Sequence, residues 1–292
     1  MKRTSSIEGL LDDERLPLRI KIENYLSIEL RLRPCSQLTV PAELREAESM
    51  GAAIDRRMYP LMRELDSISD IRKRVKAIQH VKDEMRAAYD DVVTRSDRYR
   101  ALLEWARALG LRILHYEVRP TVREMFLFSD GGNGRELKRL MDERRKILRS
   151  MVQHHPTEID RMHIAYPEEF NAAWLTRMGE LLGYPACCTS AYASDRASGV
   201  SVEERASHQI EEADRRGPID PYAYFVGYFF PCDPRCEAAR ARGHAFSDSL
   251  EGVGPGIATT YRSIVEDNLR LVRDQPEIIR RHQARAREPQ GR

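Results

Sequence analysis

Apolar residues fall at every second position between Leu16 and Arg33: Leu16, Leu18, Ile20 and Ile22, then Leu26, Ile28, Leu30 and Leu32. A period of two sends alternate side chains to opposite faces of a strand, so this stretch predicts a hairpin turning near Glu23–Tyr25. From Pro41 to about Ser96 the period lengthens to that of a helix. Pro41 reads as a helix opener and Pro60 as a kink or break. Ile71, Val75, Ile78, Val81, Met85 and Tyr89 then recur at three- and four-residue steps, the stripe of an amphipathic helix. Such a stripe serves either packing within its own domain or a homodimer surface built from the N-terminal helices. His80 lies beside it, as a boundary residue.

Residues Asp97–Leu109 read as a helix ended by Gly110, followed by strands at Leu111–Val118 and Val122–Ser129. The glycines of DGGNG, Gly131, Gly132 and Gly134, match neither the P-loop nor the dinucleotide fingerprint. They predict a tight turn and cap before a helix from Arg135 to about Val152. His154, His155 and His163 lie in a polar connection, QHHPTEIDRMH, where a boundary is expected. Beyond it the pattern is helical: Pro167–Leu182 with Phe170, Trp174, Met178, Leu181 and Leu182 on one face, a stop at Gly183, a new helix from Tyr184–Pro185, and another over Ser201–Arg216. The aromatic run from Tyr222 to Phe230 reads mainly as core. EGVGPG reads as a mobile loop, and two helices close the chain near Ile257–Val272 and Pro276–Arg287. The expected fold class is α+β, predominantly helical, with a small antiparallel strand component in the first half. The expected division is a helical, α+β region over 1–155 and a helical cysteine-motif domain over 156–292.

Composition narrows the function. The chain has 292 residues, 32% of them charged, and a net charge of +2, so nothing global favours nucleic acid. No apolar run reaches membrane-helix length, and the first residues lack the apolar core of a signal peptide. The expected compartment is the cytoplasm, where clustered thiols point to metal or redox chemistry rather than to disulfides. No lysine follows Lys146, which removes Schiff-base chemistry from the second half. The arginines there are interleaved with acids, as on solvated helix faces.

Four of the five cysteines form two tight groups, Cys187–Cys188 in LLGYPACCTSAY and Cys232 with Cys236 in FFPCDPRC. Cys35 stands alone after Pro34 and reads as a small buried hydrophobe. Cys187 and Cys188 fall in the first turn of a helix, where free amides and the dipole favour thiolate. A helix starting near Asp233 would put Cys232 at its cap and Cys236 one turn on. Four thiolates suit either a tetrahedral zinc or the irons of an iron–sulfur cluster. Adjacent cysteines diverge along a helix, which favours the cluster. His244 is a possible substitute ligand. Cys187, Cys188, Tyr184 and Arg235 are the candidates for catalysis, and Tyr192 and Tyr228 for lining a pocket. The expected role is a cysteine-ligated metal or iron–sulfur protein acting on a small molecule or peptide. The alternatives are a metal-free thiol redox or nucleophilic enzyme, a zinc-stapled helical adaptor using the Ile71–Tyr89 stripe, and cysteines that are simply buried together.

The run GELLGYPACCTSAY followed by FFPCDPRC resembles an uncharacterised prokaryotic family, catalogued as domain of unknown function number 483. The resemblance spans about Phe170–His244 and departs at Tyr192, where the family motif continues to phenylalanine. It implies a shared cysteine site and no particular reaction.

Overall fold

The computed structural model describes residues 2–154 and 166–287. The chain divides into two compact units. The first contains the residues up to Glu29 together with Cys35–Lys138; the second contains Leu30–Pro34 and the chain from Arg139 onward.

The first unit opens with helix α1 (Lys2–Asp12) and continues into α2, residues 18–29. Helix α2 runs from Leu18–Ile20 through a wider π segment, Lys21–Leu26, to Ser27–Glu29. The hairpin expected over Leu16–Arg33 is therefore replaced by a helix. Its alternation misled because every residue from Ile20 to Ile28 is buried, polar ones included. The polar side chains are satisfied in place: Lys21 Nζ donates to the Leu11 carbonyl at 2.7 Å, Asn24 Nδ2 to the Gln37 carbonyl at 2.9 Å, and Tyr25 OH to the Leu102 carbonyl at 2.6 Å. A helix enclosed on all sides has no polar face, so periodicity cannot identify it.

Strands β1 (Cys35–Val40), β2 (Arg112–Arg119) and β3 (Val122–Phe128) form an antiparallel sheet in the order β1-β3-β2. Central β3 pairs Met125 with Leu38 on one side and with His115 on the other. Cys35 is fully buried, as expected. After β1 the chain turns, and α3 (Ala47–Ser67) begins six residues beyond Pro41, which is not its opener. Helix α3 runs unbroken through Pro60. Pro60 is exposed, so water can take the carbonyl that its missing amide leaves free. Helix α4 (Ile71–Tyr89) ends in a π turn, Asp90–Thr94. Its stripe is split: Val81 and Tyr89 are buried, whereas Ile71, Val75 and Ile78 are exposed. Helix α5 (Asp97–Ala108) is capped by Ser96 Oγ, which accepts the Tyr99 amide at 3.1 Å. It stops at Gly110, whose φ of +68° is open to glycine. Helix α6 (Gly131–His154) starts within DGGNG, where Asp130 Oδ1 accepts the Gly132 amide at 2.6 Å, so this turn is a cap. His155 and His163 lie outside the described residues.

In the second unit a 3-10 turn (Pro167–Phe170) precedes α7 (Ala172–Leu181), which Asn171 caps. This cap divides the helix expected over Pro167–Leu182 and leaves Phe170 45% exposed. Glu168 forms a buried ion pair with Arg144 of α6 at 2.8 Å. Helices α8 (Ala186–Ala197) and α9 (Val202–Arg215) follow, then a 3-10 turn (Pro221–Tyr224), α10 (Glu237–Glu251) and α11 (Pro255–Arg287). EGVGPG is only a short joint between α10 and α11, and α11 is one helix through Pro276 rather than two. Tyr224, Phe225, Phe229, Phe246 and Tyr261 are buried and form the core of this unit, as expected of the aromatic run.

Candidate metal centre

The two cysteine groups converge. Cys187 and Cys188 are the second and third residues of α8, whose preceding Pro185 is extended and accepts the Cys188 amide at 3.0 Å. Gly183, with φ of +75°, ends α7 against Arg33 and Pro34 and aims the chain into α8. Arg33 Nε donates to the Leu182 carbonyl at 2.8 Å. Cys236 is the cap residue of α10, one turn earlier in that helix than the spacing suggested. The segment from Cys232 to Cys236 is a turn, with the Cys236 amide donating to the Asp233 carbonyl at 3.0 Å. Two helix N-termini therefore meet at the sulfurs, and the positive ends of both dipoles favour negative charge there.

All four sulfurs lie within 4.8 Å of one another. Cys188 Sγ is 3.6 Å from that of Cys236 and 3.8 Å from that of Cys232, and Cys187 Sγ is 3.7 Å from that of Cys236. The adjacent pair, Cys187 and Cys188, is separated by 3.9 Å. Side chains tilt toward a helix's N-terminus, and no earlier turn blocks them there, so neighbouring thiols can share one centre. The six edges of a tetrahedron with metal–sulfur bonds of about 2.3 Å are about 3.8 Å long. The arrangement is compatible with holding a metal ion.

The environment is graded. Cys188 is buried, Cys187 is exposed, and Cys232 and Cys236 are between. Burial pushes the Cys188 thiol far up, against the pull of the Cys232 amide, which donates to its sulfur at 3.5 Å. Burial, together with hydrogen bonding to Cys236, raises Cys232 to about 12. Burial also raises Cys236, but the Ala239 amide and the neighbouring thiols outweigh it and bring that group below its ordinary value. Four thiols this close cannot all ionise without a counter-charge, which a bound cation supplies.

Residues of α9 hold the Cys232 loop. Gln209 Nε2 donates to the Cys232 carbonyl at 3.2 Å, and Arg205 pairs with Asp195 of α8 at 2.6 Å. Sequence reasoning missed Arg205, Gln209 and Asp195, since a charged exposed-looking helix carries no mark of a loop it will tether. The remaining candidates have other contacts. His244 Nε2 lies 2.8 Å from Asp220 Oδ2, and its ring is 4.5 Å from that of Tyr222. The Arg235 guanidinium donates to the Ala213 and Gly217 carbonyls, at 3.1 and 2.9 Å, at the end of α9. Tyr192 OH donates to Glu169 Oε2 at 2.7 Å beside Arg196. Tyr184 packs on Phe229 at 4.9 Å, under the guanidinium of Arg33. Tyr228 is 57% exposed and has a left-handed backbone, φ +58°.

A family profile described as protein of unknown function, DUF483, matches residues 71–251. The chain belongs to this family. The matched stretch begins at the first residue of α4 and includes all four clustered cysteines, a wider span than the cysteine motifs alone. No curated protein and no solved structure matches the chain. Among the described residues, no helix is long and apolar enough to cross a membrane.

Proposed function

We propose that this DUF483 member is a zinc-thiolate protein in which one ion, held by Cys187, Cys188, Cys232 and Cys236, staples the start of α8 to the loop before α10. The observation that carries this reading is the set of sulfur separations, 3.6–3.9 Å for four of the pairs. A single tetrahedral ion needs that spacing. In a four-iron cluster each protein sulfur stands on a different iron, so the sulfurs lie farther apart than the edge of one tetrahedron. The distances thus favour one ion over the cluster that adjacency in sequence had favoured. Zinc suits a soft four-sulfur set without redox chemistry, and four protein ligands leave no open position for substrate. This makes the protein a stapled helical scaffold for binding rather than a metalloenzyme, in a compartment such as the cytoplasm that keeps thiols reduced.

The test is metal analysis of protein purified without oxygen, paired with a visible spectrum. One zinc per chain, no colour, and thiols that react only after chelation are expected. Cys188→Ala should lose the zinc. A brown protein with several irons per chain would replace the staple by a cluster. A metal-free protein with a fast thiol at exposed Cys187, 3.7 Å from Cys236, would replace it by a thiol-redox centre.

A further inference from the structure

The first half of α4 projects from its own packing. Every residue from Ile71 to His80 except Ala77 is exposed. Ile71, Val75 and Ile78 stand at i, i+4 and i+7, on one face, and are 79%, 62% and 38% exposed. On α3, which packs against α4, Tyr59 and Met62 are 48% and 39% exposed. Between Asp70 and Asp83 the only charged side chains are cationic: Arg72, Lys73, Arg74, Lys76 and Lys82. An apolar ridge set among cations, with acids only at the ends of the segment, is a combination that a merely solvated helix has no use for.

Charge selects among occupants. A second copy would bring the same cationic segment against the first. A stable protein complex buries about 800 Å² per partner, and five partly exposed side chains supply less apolar area than that. An anionic bilayer surface fits both halves of the pattern: aliphatic side chains enter the headgroup boundary, and lysines and arginines meet lipid phosphates. We propose that the Ile71–Lys82 face of α4 docks this protein peripherally on anionic membranes.

The test is co-sedimentation of the full-length, metal-loaded protein with vesicles of phosphatidylcholine, alone or with phosphatidylglycerol. Pelleting is expected with the anionic vesicles only, and it should weaken steeply with salt. Each cation near such a surface contributes about fivefold in partitioning. The quadruple variant Arg72→Gln, Lys73→Gln, Arg74→Gln, Lys76→Gln should therefore lose about 100-fold or more. Ile71→Asn with Val75→Asn should weaken binding at unchanged charge. All six positions are exposed, so both variants should keep the wild-type circular dichroism spectrum. Equal pelleting with both kinds of vesicle, or with neither, would overturn the proposal. So would a wild-type dimer in light scattering that Ile71→Asn with Val75→Asn turns to monomer, because the face would then belong to a second copy.

Discussion

Adding one methyl group to Gly243 should both destabilise the second unit and disturb the cysteine site. A Cβ built at this position would meet the Tyr222 carbonyl oxygen at 2.0 Å and its carbonyl carbon at 2.8 Å. Both are backbone atoms, so no rotamer relieves the clash. The turn carrying Tyr222 is pinned from several directions. Asp220 Oδ1 accepts the Tyr222 amide at 3.0 Å, Asn268 Nδ2 donates to the Tyr224 carbonyl at 3.0 Å, and Tyr261 OH donates to the Phe225 carbonyl at 2.8 Å. Helix α10 must therefore move away by more than about 1 Å, since ordinary carbon contacts begin near 3.5 Å. Its cap residue is Cys236, so the displacement reaches a sulfur. Overpacking of this kind costs about 1–3 kcal/mol, and a backbone clash belongs at the upper end. The helix propensity of alanine over glycine offsets up to about 1 kcal/mol. The net expectation for Gly243→Ala is about 2 kcal/mol of lost stability, with at least about tenfold weaker retention of the proposed zinc at 1.4 kcal/mol per decade. Urea denaturation and competition with a chromophoric chelator measure the two effects. Gly51→Ala is the matched control: Gly51 lies inside α3, and a Cβ there meets nothing within 4 Å. The same substitution should stabilise there by about 0.5–1 kcal/mol. If Gly243→Ala proved as stable as wild type and bound metal equally well, the close seating of α10 on the Tyr222 turn would be wrong.

Two further substitutions probe paired carboxylates. Arg144→Ala leaves Glu168 buried without its 2.8 Å partner and should cost about 3–5 kcal/mol in thermal unfolding; replacing both residues by apolar ones should recover most of that loss, and a harmless single variant would contradict the pairing. Asp13 is held well below the usual carboxylate range by hydrogen bonds from Arg15, opposed by burial and aided by Trp105 Nε1 at 2.6 Å. A depressed folded pKa stabilises above about pH 4, the unfolded value, and that contribution disappears as pH falls further. Asp13→Asn should thus lower stability by about 1–3 kcal/mol at pH 7 and flatten its decline in acid, read by tryptophan fluorescence in urea; an unchanged acid limb would refute the assignment.

The parts of the fold that were legible in sequence are those with local chemical marks. Gly110 and Gly183 end helices with positive φ, and strands β2 and β3 lie within two residues of their expected bounds. Misreadings arose where tertiary packing overrode the local signal. Residues 18–29 alternate like a strand but form a helix that is enclosed on every side from Ile20 to Ile28. Pro60 and Pro276 each remove one amide without ending α3 or α11. For the site, the sequence identified the sulfurs but not their tether, because Gln209 holds Cys232 through a main-chain carbonyl, which any residue at that position would offer. Which part of the Ile71–Tyr89 stripe is buried was equally beyond periodicity. The same i, i+4, i+7 pattern describes Ile71 in water and Tyr89 in the core.

A four-sulfur site in this position has a mechanical consequence that packing alone does not supply. Cys188 and Cys232 are 44 residues apart in sequence, and the intervening chain includes α9 and the start of the aromatic core. Closing a loop of that length by a cross-link removes about 4 kcal/mol of chain entropy from the unfolded state in the simple loop model. That is a large fraction of the 5–15 kcal/mol by which domains are ordinarily stable. Helix α9 buries Val202, Ala206, Ile210 and Ala213 and meets solvent with Glu204, Glu211, Glu212 and Arg215. A metal ion held by the cysteines at the ends of α8 and α10 would close the loop that contains α9, which ties the proposed scaffold role to the proposed closed site.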